Sequence, residues 1–195
     1  MQVAASVGLL LLLLFSPTAV AQRMAITNGN IKSAVSDWTT NSTSATTKYG
    51  DIASWNVAAV TSMAELFSYN PAFNQNIASW NTAKVSNMDR MFYEAAAFNQ
   101  DIAAWNTASV SNMYSMFFEA AAFNQNIASW NTAKVSSMDW MFREATTFNQ
   151  DIGGWNTARV SNMGYVCAAF GPAACHRGGR ARPVVDAARP LCARA

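Results

Sequence analysis

Histidine occurs once in the 195 residues, at His176, and cysteine three times, at Cys167, Cys175 and Cys192, all beyond the repeated body of the chain. With no histidine in that body, histidine-based triads, histidine metal sites and most proton shuttles are excluded from it. An odd number of cysteines confined to the tail excludes a disulfide framework and leaves at most one tail bridge plus a free thiol. Cys175 and His176 are adjacent, but two neighbouring ligands without a second pair do not close a tetrahedron, so no metal is expected. No glycine-rich loop that could cradle a phosphate is present. The Asp and Asn positions lack the spacing of calcium-binding solenoids or of a helix–loop–helix calcium site, so no cofactor is expected either.

Charge is also scarce, at 12% of residues, and it is segregated. From Asp51 to Val166 nine acidic side chains face five basic ones, whereas after Cys167 five arginines (177, 180, 182, 189, 194) face Asp186 alone. A mildly acidic body argues against a nucleic-acid partner, because phosphate neutralisation needs a basic face on the folded surface. Long apolar runs are limited to one place. Val7–Phe15 is apolar apart from Gly8 and is followed by Ser16-Pro17 and the small-residue site Ala19-Val20-Ala21. That pattern reads as an export signal over residues 1–21, too short to span a bilayer. No membrane span is expected after its removal, and the mature chain is expected to be secreted, extracellular or at the cell surface. Asn41-Ser42-Thr43, in a Ser/Thr-rich stretch, makes Asn41 a candidate N-glycosylation site.

What the sequence has in abundance is a period of 25. Trp55, Trp80, Trp105, Trp130 and Trp155 are evenly spaced, and the same interval runs through Ile52 to Ile152, Val60 to Val160, Met63 to Met163, Phe67 to Phe142 and Phe73 to Phe148. Units this short cannot bury enough apolar surface alone, so they are expected to stack. Val85, Met88, Met91, Phe92 and Ala95 fall at helical spacing, with Thr61, Ser86, Ser111, Ser136 and Ser161 placed as helix caps. Ile102–Thr107 is the best place for a short strand. Asn56 and its four equivalents, and the Asn74-Gln75 pair with its equivalents, read as amide ladders between units. One column alternates, Asp51, Asn76, Asp101, Asn126 and Asp151, which keeps like charges two units apart and suggests duplication of a 50-residue pair.

Laid out in columns, the pattern I-x-x-W-N-T-x-x-V-x-N-M-x-x-M-F followed by F-N-Q-[DN] resembles the BspA-type leucine-rich-repeat surface proteins, with Trp55, Val60, Met63, Phe67, Phe73 and their equivalents at the framework positions. The resemblance covers Asp51 to about Val166. It implies a leucine-rich-repeat-like solenoid on secreted or surface-anchored proteins, with adhesion and binding to host or matrix proteins as the role of characterised members. The expected fold is thus an α/β repeat, one short strand and one short helix per 25-residue coil. Residues 1–21 are the signal peptide and 22–50 an N-terminal cap helix with a Ser/Thr-rich loop, the helix marked by Ile31, Ala34, Val35 and Trp38. Residues 51–166 form the five-repeat solenoid, and 167–195 are an irregular basic Ala/Arg/Pro/Gly tail, expected to be disordered. The abrupt loss of register at Val166-Cys167 is expected to mark a wrongly ended reading frame rather than a genuine extension.

The expected function is therefore non-catalytic: a binding or adhesion scaffold for a protein or surface glycan. The recurring Glu94, Glu119 and Glu144 read as a solvated face rather than an acid pair. Arg90, Tyr93, Trp140 and Arg143 break the columns and are the candidate protein contacts. Two alternatives remain: a structural wall or matrix component, and a periodic array for glycan or ice built on Thr82, Thr107, Thr132 and Thr157.

Overall fold

The computed structural model describes residues 23–161 together with Met163 and Val166; the signal peptide and the tail, with His176 and all three cysteines, lie outside the described residues. The chain opens with two helices, α1 (Ile31–Thr40) and α2 (Ser42–Tyr49). α1 buries Ile31, Ala34 and Val35 and packs Trp38 against the core. Asn41 ends α1 and begins α2: its backbone is extended, its N–H donates to the Asp37 carbonyl, and its side-chain oxygen accepts from Ser44 N at 3.0 Å. The Ser/Thr-rich stretch read as loop is thus helical. Because α2 has little apolar face of its own, it is clipped to α1 by Lys48 Nζ and Tyr49 Oη, both 2.9 Å from Asp37 Oδ2. The lysine bond and then the tyrosine bond hold the Asp37 carboxyl below its ordinary pKa. α2 stops at Gly50, whose φ of 89° favours glycine, while the Arg23 side chain lies 3.1 Å from where a Cβ would stand.

From Asp51 onward the structure overturns the α/β repeat. Among the described residues both α-helices precede the first repeat, one short 3-10 turn covers Ile52–Ser54, and no strand is present. Among the described residues, β pairing between neighbouring coils is confined to isolated parallel bridges, Ser62 to Asn87, Asn87 to Asn112 and Asn112 to Ser137. Each coil is a succession of turns. The expected strand at Ile102–Thr107 is closed by Trp105 N donating to the Ile102 carbonyl, a contact repeated in every coil from Trp55 to Trp155.

The expected helix fails for a reason that hydrogen bonds make plain. Met63, Glu65, Phe67 and Tyr69 donate their N–H groups to the carbonyls of Asn87, Asp89, Met91 and Tyr93 in the following coil, at 2.8–2.9 Å. The next two coil pairs repeat this at 88→112, 90→114, 92→116, 94→118 and 113→137, 115→139, 117→141, 119→143. The N–H groups a helix would need internally are spent between coils. Intervening groups close tight turns, such as Leu66 N to Met63 O and Ser68 N to Glu65 O. Such turns place Glu65, Arg90, Ser115 and Trp140, and Tyr69, Glu94, Glu119 and Glu144, in the left-handed region at φ 49–60°, where no α-helix can run. Consecutive turns and a helix bury side chains at similar spacing, so Val85, Met88, Met91, Phe92 and Ala95 are all fully buried without being helical. The presumed caps have another role: Ser86, Ser111, Ser136 and Ser161 send both backbone N–H and hydroxyl to the carbonyl of the same column one coil earlier.

Phe67, Phe92, Phe117 and Phe142 stack at 5.5–5.6 Å between coils, and each lies 3.8–4.0 Å from its partner Phe73, Phe98, Phe123 or Phe148. The tryptophans stack beside them, for instance Trp105 on Trp130 at 6.5 Å and Trp130 on Trp155 at 6.3 Å. Offset stacking accounts for spacings wider than a strand separation. From the second coil on, each buried indole N–H also reaches back 28 residues: Trp80 to the Ile52 carbonyl, Trp105 to Ile77, Trp130 to Ile102 and Trp155 to Ile127, at 2.9–3.2 Å.

The polar columns are corner joints. Asn74 Oδ1 accepts from Asn99 N at 3.0 Å and from Gln100 Nε2 at 2.9 Å, and the next two coils repeat it. The ladder therefore runs from glutamine to asparagine and from backbone to asparagine, not between identical amides. Asn56 and its equivalents instead accept from the N–H two residues on, as does the Asp51/Asn76/Asp101/Asn126/Asp151 column. That contact uses only an Oδ1 acceptor, which Asp and Asn share.

Trp105→Phe keeps an aromatic ring but removes the indole bond to the Ile77 carbonyl, which retains Trp80 N as its other donor, and is expected to cost about 1–3 kcal/mol in denaturant unfolding. Glu94→Asn relieves a left-handed residue and is expected to raise stability by about 0.5 kcal/mol, whereas Glu94→Val, β-branched at the same φ, is expected to lower it by about 1–2 kcal/mol. Thermal melts of the two variants side by side check the sign.

Candidate binding face

The turn ladder alternates constant core positions with positions where the columns vary: Ala64, Asp89, Tyr114 and Asp139; Glu65, Arg90, Ser115 and Trp140; Ser68, Tyr93, Phe118 and Arg143, all half-buried or exposed except the buried Ser115 and Phe118. The four candidate contacts come together on this face. Tyr93 stacks on Phe118 at 4.6 Å with planes 4° apart, and Tyr69 tilts against Tyr93 at 5.2 Å. Trp140 lies 6.1 Å from Phe118 and 6.4 Å from Tyr114. Both arginines lie over rings: Arg90 over Tyr114 at 5.0 Å, and Arg143 over Trp140 at 4.9 Å and Phe118 at 5.6 Å. Arg90 also approaches Glu65 at 3.8 Å, and Arg143 Nε lies 3.3 Å from Glu144. The result is a continuous strip of rings crossing four coils, in which Tyr69 at the first-coil end is 68% exposed, Tyr93, Tyr114 and Trp140 are half-buried, and Phe118, 6% exposed, is covered by its neighbours.

Tyr69, Tyr114 and Phe118 were not singled out in the sequence. The signal that would have found them is column variation itself: each replaces a different residue type at its position in the neighbouring units. Asn41 sits apart from the strip at the α1–α2 junction, exposed, with its side-chain oxygen engaged in capping. The threonine column is interior: Thr82, Thr107 and Thr132 are each 1% exposed and donate to the carbonyls of Asn106, Asn131 and Asn156 in the next coil. Thr157 is half-buried. These hydroxyls do not form an outward-facing array.

Electrostatically the strip is flanked by carboxylates. Glu94, Glu119 and Glu144 occupy one column in successive coils, and Glu119 between the other two has its pKa raised, by burial first and then by Glu144 and Glu94. Burial likewise raises Asp89, against the pull of Arg90, and raises the Tyr93 hydroxyl. Among the described residues no group of three or more His, Cys, Asp or Glu side chains is placed to hold a metal ion, and no helix is long and apolar enough to cross a membrane. A carboxyl whose folded pKa is raised favours the protonated form, so its contribution to stability is intact below the unfolded value and is lost as pH rises through the folded one. Glu119→Gln is therefore expected to match the wild-type melting temperature near about pH 3.5 and to exceed it near about pH 7.5. An equal difference at both pH values contradicts this.

Comparison with known proteins yields no match among curated proteins and none among solved structures. A protein family does match, over two overlapping stretches, residues 21–122 and 83–172, which together take in both helices and the whole stack of coils. The chain belongs to this family, described as Mycoplasma protein of unknown function, DUF285.

Proposed function

We propose that this chain is a secreted or cell-surface, non-catalytic scaffold that binds protein partners through the aromatic strip. One observation carries the reading: variable ladder positions converge on one face and line it with Tyr69, Tyr93, Tyr114 and Trp140 together with Arg90 and Arg143, over the buried Phe118. Aromatic and arginine side chains are the residue types that dominate protein-interface energetics. Constant inward columns set the frame, while variable outward ones suit partner-specific contact. The export signal read at residues 1–21 and the resemblance to BspA-type surface proteins support an extracellular setting for that contact.

A screen of extracellular-matrix and surface proteins against surface glycans, using the mature chain, tests the reading. The expected result is saturable binding to a protein that weakens by about ten- to a hundredfold in a Trp140→Ala, Arg143→Ala double variant. Binding only to glycans, or protein binding indifferent to that double variant while its fold is retained, defeats the proposal.

A further inference from the structure

The serine column of the stack begins on a side chain rather than on a coil. Ser86, Ser111, Ser136 and Ser161 each donate their backbone N–H to the carbonyl of the same column one coil earlier, at 2.8–3.0 Å. Thr61 holds that position in the first coil, and its N–H is taken by Asn28 Oδ1 at 2.8 Å. Ser62 N reaches the same oxygen at 3.4 Å, and Asn28 Nδ2 donates to Thr61 Oγ1 at 2.8 Å. Asn28 is exposed and lies in a turn over residues 28–30. The turn is shaped by its neighbours: Thr27 N donates to Asn30 Oδ1 and Asn30 Nδ2 to the Ala25 carbonyl, both at 2.8 Å, and Ile31 N closes on the Thr27 carbonyl as α1 begins. One side chain thus ties the N-terminal segment to the first coil through both of its polar atoms.

The next residue is Gly29, and asparagine precedes glycine nowhere else in the sequence. An asparagine in that position is the one whose amide carbon is most easily reached by the following main-chain nitrogen, because glycine has no Cβ to obstruct the approach. Gly29 N bonds to Asn28 Cγ, the Cγ–Nδ2 bond breaks, and Nδ2 leaves as ammonia with the proton that Gly29 N gives up. Water then opens the succinimide, yielding aspartate by attack at Cγ and isoaspartate by attack at the main-chain carbonyl carbon. We infer that Asn28-Gly29 is a site of spontaneous deamidation latched by Thr61, and that isoaspartate formed there opens the joint between the N-terminal segment and the first coil. The attack turns the amide away from Thr61, so it proceeds from the locally opened clamp. The two products differ in consequence. Aspartate keeps an Oδ acceptor for Thr61 N and can accept from the Thr61 hydroxyl. Isoaspartate moves the former side-chain carbonyl into the main chain and adds a carbon to the turn, so that acceptor is withdrawn from Thr61.

The test follows Asn28 by peptide mass mapping in the mature chain at mildly alkaline pH, folded and in denaturant, with isoaspartate identified by enzymatic methylation of its carboxylate. Conversion is expected in denaturant and is expected to be at least about tenfold slower in the folded chain. Gly29→Ala, whose Cβ would meet only Thr27 Oγ1 at 3.7 Å, is expected to slow conversion in denaturant at least about tenfold. Thr61→Val removes the hydroxyl that holds Nδ2, and is expected to speed conversion of the folded chain about three- to tenfold while leaving the rate in denaturant unchanged. Thr61→Ala is read in its place if the first variant does not fold. In the separated isoaspartate form the Thr61 amide is expected to exchange its hydrogen at least about tenfold faster, whereas in Asn28→Asp it stays within about threefold of the wild type. Persistence of Asn28 in denaturant, equal rates folded and denatured, indifference to the folded Thr61 variant, or an unchanged Thr61 amide in the isoaspartate form each overturns the inference.

Discussion

The structure depends on a row of peptide groups that hydrogen-bond from coil to coil in a single direction. Four N–H groups per coil, at positions equivalent to Met63, Glu65, Phe67 and Tyr69, find carbonyls one coil ahead. Holding all four in one direction forces two residues per coil into the left-handed region, and no glycine occupies any of those sites. Each such residue costs on the order of 1 kcal/mol, tolerated because inter-coil bonds and stacked aromatic columns over-determine the backbone around it. The same turning points alternate inward and outward positions without a strand's period. Methionine and phenylalanine therefore fill the interior while neighbouring positions are released to the surface.

Stacking and hydrogen bonding are locked to a common register. Displacing one coil against the next would break the indole bond to the earlier isoleucine carbonyl, the glutamine bond to the earlier asparagine, and the phenylalanine stack together. Three unlike interactions broken together by a slip of a few residues make the register within a coil specific as well as stable. The buried aromatic and aliphatic columns are constant for this reason, and most of the variation falls at positions where no partner in the next coil dictates a residue type.

Directionality also makes the two ends unlike. Toward the N-terminus the ladder presents carbonyl oxygens, and the helices there are an improvised lid: Asn28 and Gly50 supply single polar atoms in place of a coil, and Val35 with Trp38 covers the first aromatic layer. A helical lid can bury apolar surface yet cannot donate a row of N–H groups, because its own are used internally. An apolar cap and a row of carbonyls with no donor among the described residues therefore occur together.

From the sequence alone, the 25-residue period, the identity of the buried columns, the apolar stripe of the first helix and the four column-breaking residues were all legible, because burial imprints itself on residue type. The backbone that realises the period was not. Apolar spacing of three and four residues is common to a helix and to consecutive turns, and glutamate, arginine and tyrosine at the left-handed sites gave none of the glycine or asparagine signals that mark a turn. Whether Ser86 capped a helix or bridged two coils, whether Thr82 faced water or the interior, and whether Arg90, Tyr114 and Trp140 met on one strip were decided only by the tertiary structure. Each depends on which backbone groups are already satisfied by a neighbouring coil, and that neighbour lies 25 residues away, beyond the reach of local sequence.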